Sequence, residues 1–536
     1  MLRRPLILAS AFLAIGVAWP LDAQERARRP IVIVTGQEPT LPIPTLIAAT
    51  VNQDIADQLF LRLAVPGATL TTAGDAGFQP QLAQKISRRN ARTLVFDLHP
   101  AARWHDGRPV TAADVLFTFA RARDPKLAPQ LATLLSTLES VTAESERRVV
   151  ITFKSAYPEQ MYDATFHVAP LPSHLLQSVP PEQLAQSDFA KAPVGNGPFR
   201  WVRRQAGEFV ELVAVPDFFL GRVGPSGIIM RVATDPEARL NLMLAGDGDG
   251  YEATVPPADN RARIEASGKA RTVPVPTLSL SYLNFNQRSA DKQGAHPILG
   301  DVRVRRALVH ALDRPVYAKA LWAGFADVPV GPASQLLWVR DARATPSARF
   351  DTVRAKQLLA EAGWRDSNDD GIVDRAGEPL ALRIISPASS FVRRQMVQIA
   401  EQQWRSIGVQ ARIELLEPSV FLQRRREGTF DVSADGVTQD PSPSGLSQSW
   451  SCTGGNNVTG FCNRTVDSLM QVARFAEGRS PTLWRRVLQL IDDDAPAAFV
   501  AAPSYVVTLS NRVRSPVLVP WSLWSGIWRW GVDAAR

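Results

Sequence analysis

The stretch LVFDLHPAARWHDGRPVTAADVLFTFARARDP, Leu94 to Pro125, decides how the chain is read. With the two residues before it, it opens as "RTLVFDLHP", an alternating run that predicts a half-buried strand. The WHDG that follows, Trp104 to Gly107, sets a histidine beside an aspartate and invites a catalytic reading. No nucleophile stands with them, and Asp-Gly is turn chemistry, so a turn is expected. "TAADVLFTFARAR" then starts a helix. Thr111 is the N-cap and Asp114, at N3, the capping-box acid. Strand, turn and helix within one short stretch point to an α/β protein.

The rest of the chain repeats the mixture. "RPIVIVTG" predicts a strand with Val32 and Val34 on one face and Ile31 and Ile33 on the other. "RRVVITFKS" predicts another. "VRVRRALVHALDRPVYAKAL" is amphipathic, with Val302, Ala307, Leu308 and Leu312 on one side. "DTVRAKQLLAEAGW" takes Asp351 as its cap and Gly363 as its stop. "SFVRRQMVQIAEQQWRSIG" ends at Gly408, and a strand, "VQARIELLE", resumes. Helix–Gly–strand units of this kind argue for α/β architecture. The chain has 536 residues, enough for two or three domains, and shows no fixed-period repeat.

Composition narrows the function. The net charge is +8, but Arg is scattered and no Lys/Arg block forms a phosphate-binding stripe, so nucleic acid is not an expected partner. None of the six histidines forms an HExxH or HxxxH pair. There is no G-x-S-x-G elbow and no P-loop. "GDGDG", Gly246 to Gly250, is acidic and reads as a turn. An enzyme is not expected, nor a metal or cofactor.

The N-terminus carries Arg3 and Arg4, then the apolar run Pro5 to Trp19, then small Ala23. This reads as a signal peptide over 1–23, with a membrane anchor as the alternative. Export suits the two cysteines, Cys452 and Cys462. A disulfide closing a short loop is the reading, since no His or further Cys stands near to complete a metal site.

The Leu94–Pro125 stretch resembles the signature of the extracytoplasmic solute-binding proteins of family 5, the receptors of dipeptide and oligopeptide ABC importers. Trp104 takes the usual aromatic position. His105, Asp106, Gly107, Pro109, Val110, Thr111, Ala112, Asp114 and Val115 fit in register. "APVGNGPFRWV" resembles a second block, with Asn196 replacing the usual Thr. Blocks from "YLNFNQ" through "HALDR", from "FDTVRAKQLLAEAGW" to "LALRI", and at "GVQARIELLEPSVFLQRRREGTFDV" and "NVTGFCNRTVDSLMQVA" follow in family order.

The resemblance implies a class II periplasmic-binding-protein fold: two lobes joined by a hinge, plus an extra domain. The implied division is 28–65 with 193–280 and 497–536 as the first lobe, 66–192 as the extra domain, and 281–496 as the second lobe. It implies a periplasmic, monomeric receptor that closes on a peptide or other small ligand and delivers it to an ABC permease in the inner membrane. Relatives that bind nickel chelates, haem, glutathione or sugars keep non-peptide ligands open. An exported hydrolase or chaperone on the same shell is the other class.

The resemblance also implies a site. "GVTQDPSPSG", Gly436 to Gly445, stands where peptide receptors carry an Asp that holds the ligand's ammonium group. Asp440 matches that Asp, and Val437 stands where Trp is usual. Arg393 and Arg394 are candidates for a ligand carboxylate. Asn284 and Asn286 are candidates near the crossing strand.

One stretch suggests a different chemistry. "DSNDDGIVDRAGEP" puts Asp366, Asn368, Asp370, Gly371 and Asp374 at positions 1, 3, 5, 6 and 9 of a calcium loop. Position 12 should be a bidentate Glu and is Gly377. The family often carries an acidic connection here, so a polar turn is expected.

Overall fold

The computed structural model describes residues 29–46, 50–253, 258–289 and 291–533. The expected signal peptide, 1–23, lies outside them. Among the described residues three larger sheets carry the architecture. In the first the strand order is Ala270–Val275, Tyr505–Ser510, Gly250–Ala253, Ile31–Thr35, Gly227–Val232, Phe209–Ala214 and Phe199–Gln205. In the second it is Ala326–Asp327, Ala497–Pro503, Ser279–Phe285, Val432–Thr438, Ala381–Pro387 and Gln410–Leu416. The third, smaller and antiparallel, is built from Ala83–Asn90, Thr93–Leu98, Arg148–Phe153 and Leu138–Ser145.

The chain passes between the two large sheets twice. It leaves the first after Val275 and enters the second at Ser279; it leaves the second after Pro503 and re-enters the first at Tyr505. Thr277 Oγ1 donates to Pro503 O at 2.6 Å and ties the two crossings together. The sequence division began the returning first-lobe segment at 497. Strand Ala497–Pro503 instead pairs with Ser279–Phe285 inside the second sheet. Its seven residues are nearly all apolar and buried, as a strand covered on both faces must be.

The expected elements form for the expected reasons. Strand Ile31–Thr35 runs parallel to Gly227–Val232 and Gly250–Ala253. Ile31 and Ile33 enter the large core while Val34 packs with Leu240 and Met243 on the other face. Phe96 and Val149 of the small sheet belong to the same core as Ile31 and Ile33, so the extra domain and the first lobe share one apolar interior. The 302–321 stretch is two helices, Val302–His310 and Arg314–Trp322. Pro315 lacks a backbone N–H and fits only the first turn of a helix, so a new helix starts there.

The diagnostic stretch is a structural knot. The Asp114 carboxylate is buried and accepts from Thr111 N at 2.9 Å, Trp104 Nε1 at 3.1 Å, Ser173 N at 2.9 Å and Ser173 Oγ at 2.6 Å. With Thr111 Oγ1 also donating at 3.2 Å, five donors on one buried carboxylate explain why aromatic, Thr and Asp occur together. The WHDG histidine is a clasp between blocks. His105 Nδ1 accepts from Gly195 N at 3.1 Å and its Nε2 lies 3.1 Å from Gly197 O. That pairing needs a neutral ring, and burial pushes its pKa down to about 4. A Cβ at Gly195 would lie 1.9 Å from Leu59 O, so only glycine fits.

Candidate ligand-binding site

The returning loop after strand Val432–Thr438 carries Asp440 to the boundary between the second lobe and the extra domain. Asp440 Oδ1 accepts from Tyr162 Oη at 2.7 Å and from Ser442 N at 2.7 Å. Tyr162 stands on the short helix Gln160–Thr165 of the extra domain. One residue before that helix, buried Glu159 accepts from Ser442 Oγ at 2.8 Å, Ser444 Oγ at 2.6 Å and Thr72 Oγ1. Trp338 Nε1 donates to Thr72 Oγ1 at 2.9 Å and adds a third connection from the second lobe.

Two carboxylates therefore sit close together with hydroxyl and amide donors around them. Burial raises the pKa of Glu159, and Asp440 nearby raises it further. Burial likewise raises Asp440, against the lowering effect of its two donors. Among the described residues no Lys or Arg is paired with either. A cation brought here meets carboxylates already stripped of water, which strengthens the attraction.

The first lobe offers a cavity of about 410 Å³ at the carboxyl end of strand Ile31–Thr35. That strand lies between two parallel neighbours, the switch point where open α/β sheets bind ligands. Thr35, Gly36, Gln37, Asp54, Arg239 and Tyr505 are among its walls. Arg239 stands on helix Pro236–Ala245, which Asp235 caps by accepting from Ala238 N at 2.7 Å. Arg239 Nη1 donates to Ala233 O at 2.7 Å and Thr234 O at 2.8 Å, and its guanidinium lies 5.5 Å from the Tyr251 ring centre.

The two neighbouring arginines of the second lobe part company. Arg393 Nη2 lies 3.4 Å from Gly436 O, on the strand that leads to Asp440. Arg394 turns back to Ala388 O at the start of its own helix and stacks near Phe391. Asn284 donates to Asp435 Oδ2 at 2.6 Å, where Arg425 Nε also donates at 2.9 Å. Asn286 donates to Gly428 O at 3.0 Å and Phe430 O at 2.9 Å, and accepts from Arg288 N at 3.1 Å. Both asparagines are buried within the second lobe, so they shape that lobe's sheet. The structure thus brings Arg393 alongside the Asp440 strand and leaves Arg394 and Asn286 engaged elsewhere.

Glu159, Tyr162 and Arg239 escaped sequence reading. Each lies far along the chain from the stretch it meets, and no local pattern marks such a meeting. The expected disulfide is present: Cys452 and Cys462 are bonded with Cα atoms 4.2 Å apart. In the acidic stretch, Asp366 accepts from Gly371 N at 2.9 Å, Asp370 from Ile372 N at 2.8 Å and Asp374 from Ser367 N at 3.0 Å. These carboxylates brace a turn, with Gly371 at φ +85°. Among the described residues no group of three or more His, Cys, Asp or Glu is arranged to hold a metal ion. Nor is any helix among them long and apolar enough to cross a membrane.

Known proteins share this fold. The chain is 26% identical over 432 residues to the oligopeptide-binding protein AppA of Bacillus subtilis, covering 78% of each. The structure of that protein in complex with a nonapeptide superposes with a TM-score of 0.77 at 23% identity, over 95% of this chain and 100% of the other. NikA from Brucella suis, in complex with Fe(III)-EDTA, superposes with a TM-score of 0.81 at 18% identity, over 94% and 100%. These likenesses establish the class II periplasmic-binding-protein fold. Residues 77–458 match the model of the bacterial extracellular solute-binding proteins, family 5, middle region, and the chain belongs to that family.

Proposed function

We propose that this protein is an exported, periplasmic receptor of an ABC importer that captures a peptide between its lobes and delivers it to the permease. Asp440 carries the reading. Its carboxylate stands where the second lobe meets the extra domain, with donors on one side and, among the described residues, no paired cation. A peptide's ammonium group supplies that cation, and closure shields the pair from water. The ligand favours the closed form because it touches both sides. Arg393 lies beside the same strand, with its guanidinium held at Gly436 O.

The relatives support a peptide ligand by their names, whereas the fold alone admits a metal chelate as readily. Calorimetry with di- to oligopeptides tests the choice, together with mass spectrometry of whatever ligand survives native purification. Asp440→Ala should cost about 2–5 kcal/mol of peptide affinity, the scale for leaving a buried charge unpaired. No heat across the peptide series, or full affinity in the variant, defeats the reading.

A further inference from the structure

A second-lobe cavity of about 320 Å³ stands far from the proposed peptide site. Strand Ser279–Phe285 gives the separation. It runs antiparallel to Val432–Thr438, with Ser279 opposite Thr438 at the Asp440 end and Phe285 opposite Val432 at the other. The cavity begins just beyond Phe285, at Asn286 and Arg288. At roughly 3.3 Å per residue, the length of that strand places it about 20 Å from the Asp440 end.

Three cations converge on the cavity from separate pieces of chain. Arg288 follows the strand, Lys292 stands on the next turn, and Arg426 lies in the last turn of helix Pro418–Glu427. Arg426 ends a run of three arginines. Arg424 donates to Glu414 and to Thr429 O, and Arg425 donates to Asp435. Among the described residues the side chains of Arg426, Arg288 and Lys292 have no such partner. Glycines let two of these cations in. Gly428 ends the helix at φ +71°, and Lys292 Cε lies over it, 3.8 Å from where a Cβ would stand. A Cβ at Gly460 would collide with Arg288 Cγ and Nε, so that arginine lies on bare backbone.

The charges choose the ligand. Glu427 is the one carboxylate among the lining residues, and it accepts from Gln423 Nε2 at 2.9 Å. Asp291, beside Lys292, accepts from Ser289 Oγ and from Gln293 N within its own turn. Three cations against Glu427 leave two positive charges in excess, and a concave wall focuses their field on what enters. A carboxylate or a sulfate ester, with one charge, leaves half of that excess unmatched. A phosphate monoester carries close to two charges at neutral pH and offers three strong acceptor oxygens. Guanidinium groups meet such oxygens in bidentate pairs, and a lysine adds a point charge.

We propose that this cavity is a second binding site, independent of the peptide site, that takes a phosphate monoester. A soluble phosphorylated compound and a lipid whose headgroup is a bare phosphate both present that chemistry.

The test uses the full mature chain and a matched series, phenyl phosphate, phenyl sulfate and benzoate, titrated by calorimetry above neutral pH at constant ionic strength. Wild type should bind phenyl phosphate about tenfold more tightly than either monoanion, the scale of one charge-assisted contact. Arg426→Gln and Lys292→Gln should each weaken phenyl phosphate by about tenfold and leave the melting temperature unchanged, since both side chains are exposed. Arg288→Gln is the further variant should either of these fail to fold. Vesicles of phosphatidylcholine with phosphatidic acid separate the two sources. Co-sedimentation that phenyl phosphate displaces would support the site and assign it to lipid. Phenyl phosphate binding without co-sedimentation would support it and assign it to a soluble compound. Equal affinity for all three anions would overturn the proposal. So would undiminished binding in the folded variants, or no binding of phenyl phosphate at all. None of these outcomes touches the peptide reading, which stands or falls at Asp440.

Discussion

Tyr162 Oη donates to Asp440 Oδ1 at 2.7 Å, joining residues 278 positions apart and two separate parts of the fold. The carboxylate expected to receive a ligand's ammonium group is therefore already held from the other side of the boundary. With Glu159 bonded to Ser442 and Ser444, the contact forms a polar latch. Its hydroxyl donors keep the carboxylates oriented without neutralising them.

Loosening the latch should open the ligand-free protein. Tyr162→Phe removes the one side-chain donor that Asp440 receives from the extra domain. The lost bond is worth about 1.5–3 kcal/mol when its acceptor is charged. Small-angle scattering of the ligand-free variant should give a larger radius of gyration than wild type. An identical profile would mean that the latch does not hold the closed form.

Peptide affinity should fall on acidification. Burial holds the Asp440 pKa above the usual carboxylate range. The ammonium group binds the charged carboxylate, so protonation competes with the ligand, and affinity is lost as pH falls through that raised value. Asp440→Asn has no such proton to gain. Calorimetry between neutral and mildly acidic pH should show a slope in wild type that is missing in Asp440→Asn, and parallel slopes would rule Asp440 out as its source.

Asp163 should make the fold less stable toward neutral pH. It accepts from Tyr157 Oη at 2.6 Å and Thr137 Oγ1 at 3.2 Å, and burial lifts its pKa from 3.8 to about 7. Between those two values the folded chain holds a proton that the unfolded chain has released. Its contribution is present at acid pH and is lost as pH rises through 7, with a limiting slope of about 1.4 kcal/mol per pH unit. Asp163→Asn removes this term. The melting temperature of Asp163→Asn relative to wild type should therefore climb between pH 5 and pH 8, and a constant difference would contradict the assignment.

The disulfide should matter to stability more than to binding. Cys452 and Cys462 close a loop in which Asn457 Nδ2 donates to Ser451 O at 2.8 Å and Phe461 O at 2.6 Å. Cys452→Ser with Cys462→Ser should cost about 2–3 kcal/mol, as expected for restricting a short loop. Denaturant titration reads the loss, and a midpoint unmoved by the double substitution would show that the loop's own hydrogen bonds suffice.

Calcium should leave the melting temperature unchanged. The carboxylates of Asp366, Asp370 and Asp374 are occupied by backbone N–H groups of their own turn, and Gly377 cannot supply the bidentate ligand. A rise in melting temperature on calcium titration, reversed by chelator, would restore the calcium-loop reading.

Local patterns determined much of this protein. The Thr111 and Asp351 caps and the glycine stop at Gly408 are short-range effects of backbone geometry, and the structure contains each of them; Thr93–Leu98 forms the expected strand, but packing covers both of its faces where alternation implies one. The ordered motif blocks carried the fold class because each is a packing unit, as the donors gathered on Asp114 show. What local pattern could not determine was which distant segments meet. The polar latch joins Thr72, Glu159 and Tyr162 to Asp440, Ser442 and Ser444, and none of these advertises its partner through spacing. The same holds for strand Ala497–Pro503, whose sheet is set by the pairing it finds, and for Arg239, which lines a cavity assembled from six separate stretches of chain. Periodicity reports what a residue does to its own element; burial, charge pairing and cavity walls arise only when elements pack, and those decided the site.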